Sequence, residues 1–367
     1  MLNHLGLVAV AAHPGTVAAG RPTSLRAVAD SARSVPWEPG AATGVGSLPG
    51  TDPVEATRLV LGELPDLPHL PELPARGPGA DMIGRTCALL VELAVELTST
   101  GWAFTGRPGR DVRRARSLLS ADLDALEELA AGYQGPLKIQ LTGPWTLAAA
   151  IELRSGEKAV SDSGAVRDLT GSLAEGLAGH ATEVGKRVPG ARLVIQLDEP
   201  SLPGVLAGGI RTVSGLHSLA AVEPADAVIS IGTVRAAVPA DLPVIVHCCA
   251  AGVPVGLVRR AGADGVGFDL GLLDTVAEDE LGSAVEAGFA VFAGAVPAQE
   301  AELSALADTV DPVRQWWRRL GFAPERLAEQ VVVTPACGLA GASPAYARRA
   351  MARCREAGRA LYESPEG

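Results

Sequence analysis

From residue 40 onward, short runs of β-branched and apolar residues alternate with longer amphipathic stretches. The runs at 43–47, 101–105, 137–141, 193–198, 244–248, 265–270, 290–294 and 331–335 have the length and composition of strands. The stretches between them, such as 81–97, 120–131, 165–188 and 272–287, carry apolar positions at helical spacing. A last helix opens on Ser343-Pro344, an N-cap followed by proline in the first turn, and runs to about Tyr362. Eight strands, each followed by a helix, predict an α/β fold of the (β/α)8 TIM-barrel type, a single domain over residues 38–367.

Three segments depart from this rhythm. Residues 227–233 (Ala-Val-Ile-Ser-Ile-Gly-Thr) resemble a ninth strand and are read as part of the helical connection before the strand at 244. Residues 65–81 carry too many prolines for a regular helix or a central strand. Placed after the first strand, they are either a polyproline-like spacer or a lid over the barrel mouth carrying Arg76 and Asp81. Residues 1–37, rich in Ala, Gly, Pro and Ser without a clear period, are expected to be a disordered tail or an over-extended translation start.

Composition narrows the function classes. The chain has 31 Lys and Arg against 42 Asp and Glu, a net charge of -11, and no basic stripe. That argues against nucleic acid or an anionic membrane as partner. Five cysteines without framework spacing, and no charged leader or apolar span, point to a reducing cytoplasm. No strand is followed by a Gly-rich phosphate loop.

Polar residues gather where strands end: Gly46-Ser47, Thr142-Gly-Pro, Asp198-Glu-Pro, His247-Cys-Cys, Asp269 and Cys337-Gly. In a barrel these ends converge on one mouth, where active sites lie. His247 and Cys249, two apart, can project to one side while Cys248 projects to the other. Imidazole and thiolate together suit zinc, with Asp269 and Cys337 as the apt further donors from other strand ends. The alternative is that Cys249 and Cys337 are small core residues and His247 a hydrogen-bonded polar one. Cys87 and Cys354 lie within helical stretches and are read as packing residues. Asp198 and Glu199 are consecutive, so they face opposite sides and do not form an acid/base couple. Gln196 and Asp198 share a side and can both face the lumen.

In order, Gly46-Ser47-Leu48-Pro49, Leu141-Thr142-Gly143-Pro144, Gln196-Leu197-Asp198-Glu199-Pro200, His247-x-Cys249 and Pro335-Ala336-Cys337-Gly338-Leu339 resemble a known family. The chain is similar, over roughly residues 40–362, to the carboxyl-terminal catalytic barrel of cobalamin-independent methionine synthase. The resemblance implies a zinc-dependent methyltransferase in which homocysteine binds the metal as thiolate. It gives the zinc (Zn2+) ligands as His247, Cys249 and Cys337, with Asp269 at the family's third, glutamate position. It assigns Gly46, Ser47 and Asp198 to the amino acid's carboxylate and amine. The methyl donor it implies is methyltetrahydrofolate, or a methylcorrinoid in a related corrinoid-linked enzyme; a non-catalytic zinc- and thiol-binding barrel is a third reading. Asp269 is one carbon shorter than the family's Glu. The family's catalytic histidine on the seventh strand has no counterpart in 290–297, so no catalytic acid is assigned. With no amino-terminal barrel in the sequence, a core-only form is expected.

Overall fold

The computed structural model describes residues 35–367. In chain order its elements are α1 Pro53–Glu63, α2 Met82–Leu89, β1 Ala94–Leu97, β2 Trp102–Thr105, α3 Arg110–Leu129, β3 Gly135–Thr142 and α4 Pro144–Ala150. There follow α5 Ser163–Arg187, β4 Ala191–Asp198, α6 Leu202–Leu206, α7 Pro224–Ala236, β5 Val244–Cys248, α8 Val255–Arg260 and β6 Gly265–Asp269. The chain ends with α9 Thr275–Glu286, β7 Ala290–Val296, α10 Ala307–Arg319, α11 Leu327–Gln330, β8 Val331–Pro335 and α12 Pro344–Glu363.

Strands β3 to β8 form one parallel sheet in sequential order. The six correspond closely to the predicted runs from 137 onward, and the 227–233 segment lies inside α7, as the barrel reading requires. In this helix Ala227, Ser230, Ile231 and Val234 are buried, while Ile229 is 64% exposed. Burial by helical period overrides the strand propensity of its β-branched residues.

The first two staves differ from expectation. Residues 43–47 form no regular strand; they touch the sheet through an isolated bridge, with Thr43 N–H donating to Val333 C=O (3.1 Å) and Val333 N–H to Ala41 C=O (3.3 Å). The predicted strand at 101–105 exists, but as β2 in an antiparallel hairpin with β1, outside the parallel sheet. Its hairpin partner comes from the end of the predicted helix 81–97, which stops at Leu89 before Glu92 takes a φ of 59°. The second stave is the proline-rich segment itself. Leu70 N–H donates to Lys138 C=O (2.9 Å), Lys138 N–H to Pro68 C=O (2.8 Å), and Leu48 N–H to Glu72 C=O (2.9 Å). Pro68 and Pro71 cannot donate, but the residues between them can, and those bonds are enough to close the ring from β8 through 41–48 and 67–73 to β3. The segment is wall, neither spacer nor lid.

The lumen is layered. At its floor Trp37, Ala41, Leu67, Val194, Ile245, Ala290, Phe292 and Val332 form an apolar cluster separate from the main core. Trp37 is 5% exposed and meets the Phe292 ring edge-on at 5.3 Å. Residue 37, assigned to the tail from sequence, therefore packs with the barrel, whereas residues 1–34 lie outside the described residues. The main core lies between sheet and helices, where Leu193, Ile195, Leu197, Val246 and Cys248 point. No helix among the described residues is long and apolar enough to cross a membrane.

Candidate active site

Above the apolar floor the lumen turns polar, because the inward positions of β3, β4 and β5 are Lys138, Gln140, Gln196, Asp198 and His247, all buried. Strand parity places them: Asp198 faces the lumen and accepts from His247 Nδ1 at 2.9 Å. The next residue, Glu199, turns outward and accepts from Trp145 N–H (2.9 Å), Thr146 N–H (2.7 Å) and the Thr146 hydroxyl (2.8 Å). Glu199 thus clamps the N-terminus of α4 to the end of β4, a favourable place for a carboxylate. A Cβ at Gly143 would stand 2.4 Å from Glu199 Oε1, which is why the Thr-Gly-Pro motif needs its glycine.

The metal-ligand candidates sort into two groups. Cys249, just past β5, and Cys337, just past β8, come together across the mouth with their sulfurs 2.9 Å apart. Two strands separate them, and small inward positions between make the approach possible: a Cβ at Gly267 would lie 3.2 Å from His247 Cδ2 and 3.3 Å from Phe292 Cβ. The hydrogen bond between the thiols lowers the Cys337 pKa and raises that of Cys249, and neighbouring His247 lowers Cys337 further. Either sulfur can be the donor in this contact. His247 Nε2 is buried and has no hydrogen-bond partner among the described residues, Nδ1 being taken by Asp198. Asp269 stands apart from this group in its bonding, with Oδ1 accepting from Gly271 N–H (2.9 Å) in the turn after β6.

The donor types of His247, Cys249 and Cys337, one imidazole and two thiols at strand ends, are those that zinc takes, and the two sulfurs already meet. The sulfurs stand closer together than a metal would hold them, since tetrahedral zinc at about 2.3 Å from each would keep them roughly 3.8 Å apart. Among the described residues no three His, Cys, Asp or Glu side chains already stand as a metal-holding group.

The substrate-binding candidates sit on the irregular wall. Gly46 C=O accepts from Glu72 N–H (3.1 Å), and Ser47 C=O from Leu339 N–H (2.8 Å), tying the first stave to the second and to the loop after β8. The Ser47 hydroxyl borders Gly338, where a Cβ would come within 2.1 Å of it. Beside them stands Glu72, a residue the strand-end reading passed over because its segment was not read as a strand. Its carboxylate accepts from Gln140 Nε2 (3.1 Å) and lies 3.8 Å from Arg85 Nε. Burial pushes its pKa up to about 7, opposed by Arg85 and supported by Asp198. Arg85 and Arg76 are both anchored to buried Asp122 on α3. On β7 (Ala-Val-Phe-Ala-Gly-Ala-Val) there is no titratable side chain.

Residues 40–360 match the family model described as the catalytic domain of cobalamin-independent synthase. No curated protein matches the chain by sequence. Among solved structures, the chain is similar to a B12-independent methionine synthase from Shewanella sp. W3-18-1, at 12% identity and a TM-score of 0.59, covering 89% of this chain and 98% of that one. It is also similar to a methyltransferase from Methanosarcina mazei, at 15% identity and a TM-score of 0.54, covering 89% and 96%. These likenesses carry the barrel fold, and the family model carries the membership: this chain belongs to the cobalamin-independent methionine synthase family, of which it is a catalytic domain.

Proposed function

We propose that the chain is a zinc-dependent S-methyltransferase whose acceptor is homocysteine. The observation that carries this reading is the meeting of the Cys249 and Cys337 sulfurs across the mouth, with His247 buried two residues before Cys249. His247, Cys249 and Cys337 would hold the metal, and Asp269 would join only by giving up its turn hydrogen bond. Zinc, when bound, would lower the pKa of a substrate thiol so that it is a thiolate at neutral pH. The rest is done by the chain itself. Asp198 and Glu72 offer carboxylates to the substrate amine, and Gly46 and Ser47 bound the place for its carboxylate. Holding the amino acid at both ends aims its sulfur at the donor methyl group. In the reaction the sulfur–methyl bond forms as the donor–methyl bond breaks, and the acceptor's proton is released.

The donor is the open branch. A folate leaving group needs a proton on nitrogen, and β7 holds no acid to supply one. A methylcorrinoid leaves without taking a proton, so the same observation supports a corrinoid-linked reaction as the second reading. The free thiols suit a reducing, cytoplasmic setting.

Metal analysis after chelator-free purification is expected to find about one zinc ion per chain, with homocysteine methylated from methyltetrahydrofolate or from methylcobalamin. Protein that neither carries nor takes up zinc would end the proposal. Zinc and thiol binding without turnover on either donor would leave a non-catalytic barrel.

A further inference from the structure

Beneath the mouth lies a buried cation that the methyl-transfer reading does not use. Lys138, on β3, is fully buried inside the lumen. Its ammonium donates to Val45 C=O (2.8 Å) and to Gln196 Oε1 (2.8 Å). An ammonium has only donors, so Gln196 must present its oxygen there and its NH2 group the other way. That NH2 donates to Val45 C=O (2.8 Å) and to Asp198 Oδ1 (2.8 Å). The same Oδ1 accepts from His247 Nδ1 at 2.9 Å. Each link has one sensible polarity, and the chain of three bonds ends on which ring nitrogen carries the proton.

We propose that Lys138 is a positioning residue that acts through Gln196 and Asp198 to keep the His247 ring protonated on Nδ1, leaving the lone pair on the buried Nε2. The amide is anchored at both ends. Without the ammonium, Gln196 Oε1 is buried with no donor, and the amide turns to satisfy it. Asp198 then loses the partner that holds its Oδ1 against the ring, and the tautomer is no longer selected. The consequence for metal binding rests on the zinc reading above; the tautomer itself does not. Outer partners of a metal-bound histidine work in this way, fixing the ring and its tautomer.

The test uses the full chain, metal-free, with 15N-labelled histidine and two-bond proton–nitrogen correlations. In the unaltered chain His247 is expected as the Nδ1–H form. In Lys138→Met, close in size but neutral, it is expected as a mixture of both tautomers. A separate competition titration with a zinc chelator is expected to find affinity lowered by about 10- to 100-fold. Gln196→Met is expected to do the same, and the double variant to lose no more than either single, because all act through one path. Val332→Ala, in the apolar floor, is the control: it should cost stability without moving the tautomer. If Lys138→Met fails to fold, Gln196→Met carries the test alone. A folded Lys138→Met or Gln196→Met that keeps the Nδ1–H form overturns the proposal, as do additive losses in the double variant. An unaltered chain that takes up no zinc ends the metal reading instead, while the tautomer measurement still decides this one.

Discussion

The two sides of the barrel wall are built differently. Strands β3 to β8 form parallel ladders, with one register shift at Gly294–Val296 between β7 and β8, in which backbone groups bond to neighbouring strands and side chains reach the lumen. The staves at 41–48 and 67–73 pair only at isolated points. Their spare carbonyls turn inward: Val45 C=O accepts from both Lys138 and Gln196, and Leu70 C=O accepts from Gln140 Nε2 (2.6 Å). Glycines at 44 and 46 and prolines at 65, 68, 71 and 74 prevent a continuous ladder and so free those groups. The regular side thus presents His247, Cys249 and Cys337 together with the Asp198 carboxylate, and the irregular side adds backbone carbonyls and Glu72. On the proposed reading, a wall of two kinds would let one site hold both a metal and an amino acid.

The largest expected effect is on the regular side. Cys337→Ala should abolish homocysteine methylation and zinc retention, since it removes both a negative ligand and the partner of Cys249. Cys248→Ala, one residue from Cys249 but buried between sheet and helices, should keep most activity and cost about 1 kcal/mol. Zinc content and turnover of the two variants check this, and metal loss in Cys248→Ala with retention in Cys337→Ala would reverse the ligand assignment.

Below both sides lies the floor, and its removal should cost stability rather than chemistry. Trp37→Ala is expected to lose about 3–5 kcal/mol in denaturant unfolding, and a chain beginning at Glu38 should lose as much. An unchanged midpoint in either would mean that the Trp37–Phe292 contact contributes nothing.

On the irregular side, Gly44→Ala should cost about 1–3 kcal/mol, because its Cβ would stand 2.3 Å from the buried His69 ring. The matched measurement is the melting temperature of Gly50→Ala, where space is open but φ is 95°. A loss there as large as at Gly44 would show that backbone conformation, not crowding, governs this wall.

The smallest effect is a pH dependence. Glu72 has its pKa raised to about 7 by burial, so between its ordinary value and 7 the folded chain holds a proton that the unfolded chain releases. Its stabilising contribution is present at low pH and lost as pH rises through about 7. Glu199, also raised to about 7 by burial, adds to the same fall. Glu72→Gln should therefore make the decline in melting temperature from about pH 5 to about pH 8 shallower without removing it. An identical slope would mean that Glu72 ionises in the folded chain as readily as in the unfolded one.

What could be read from the sequence depended on the range of the signal. Strand parity is local, so the opposite facing of Asp198 and Glu199, and of His247 and Cys248, follows from residue spacing and holds in the structure. Residues 227–233 go to a helical connection only by the barrel's count of eight strands, against their strand-like composition, and they lie in α7. Glu72 and Lys138 escaped notice because each becomes meaningful only through partners far along the chain: Gln140 and Arg85 for one, Val45 and Gln196 for the other.

By itself the sequence determined the six ladder-forming strands and which of Asp198, Glu199, His247 and Cys248 face the lumen, because periodicity of two and of 3.6 is written in neighbouring residues. Only the tertiary structure decided which segments close the ring. Whether 67–73 or 101–105 becomes the second stave depends on which finds unpaired backbone beside β3, and a proline-rich segment wins that place with only a few bonds. The approach of Cys249 to Cys337 was likewise decided there, since their strands meet only when the sheet curls and the positions between them are small. Closure is a property of the whole ring, and no local pattern encodes it.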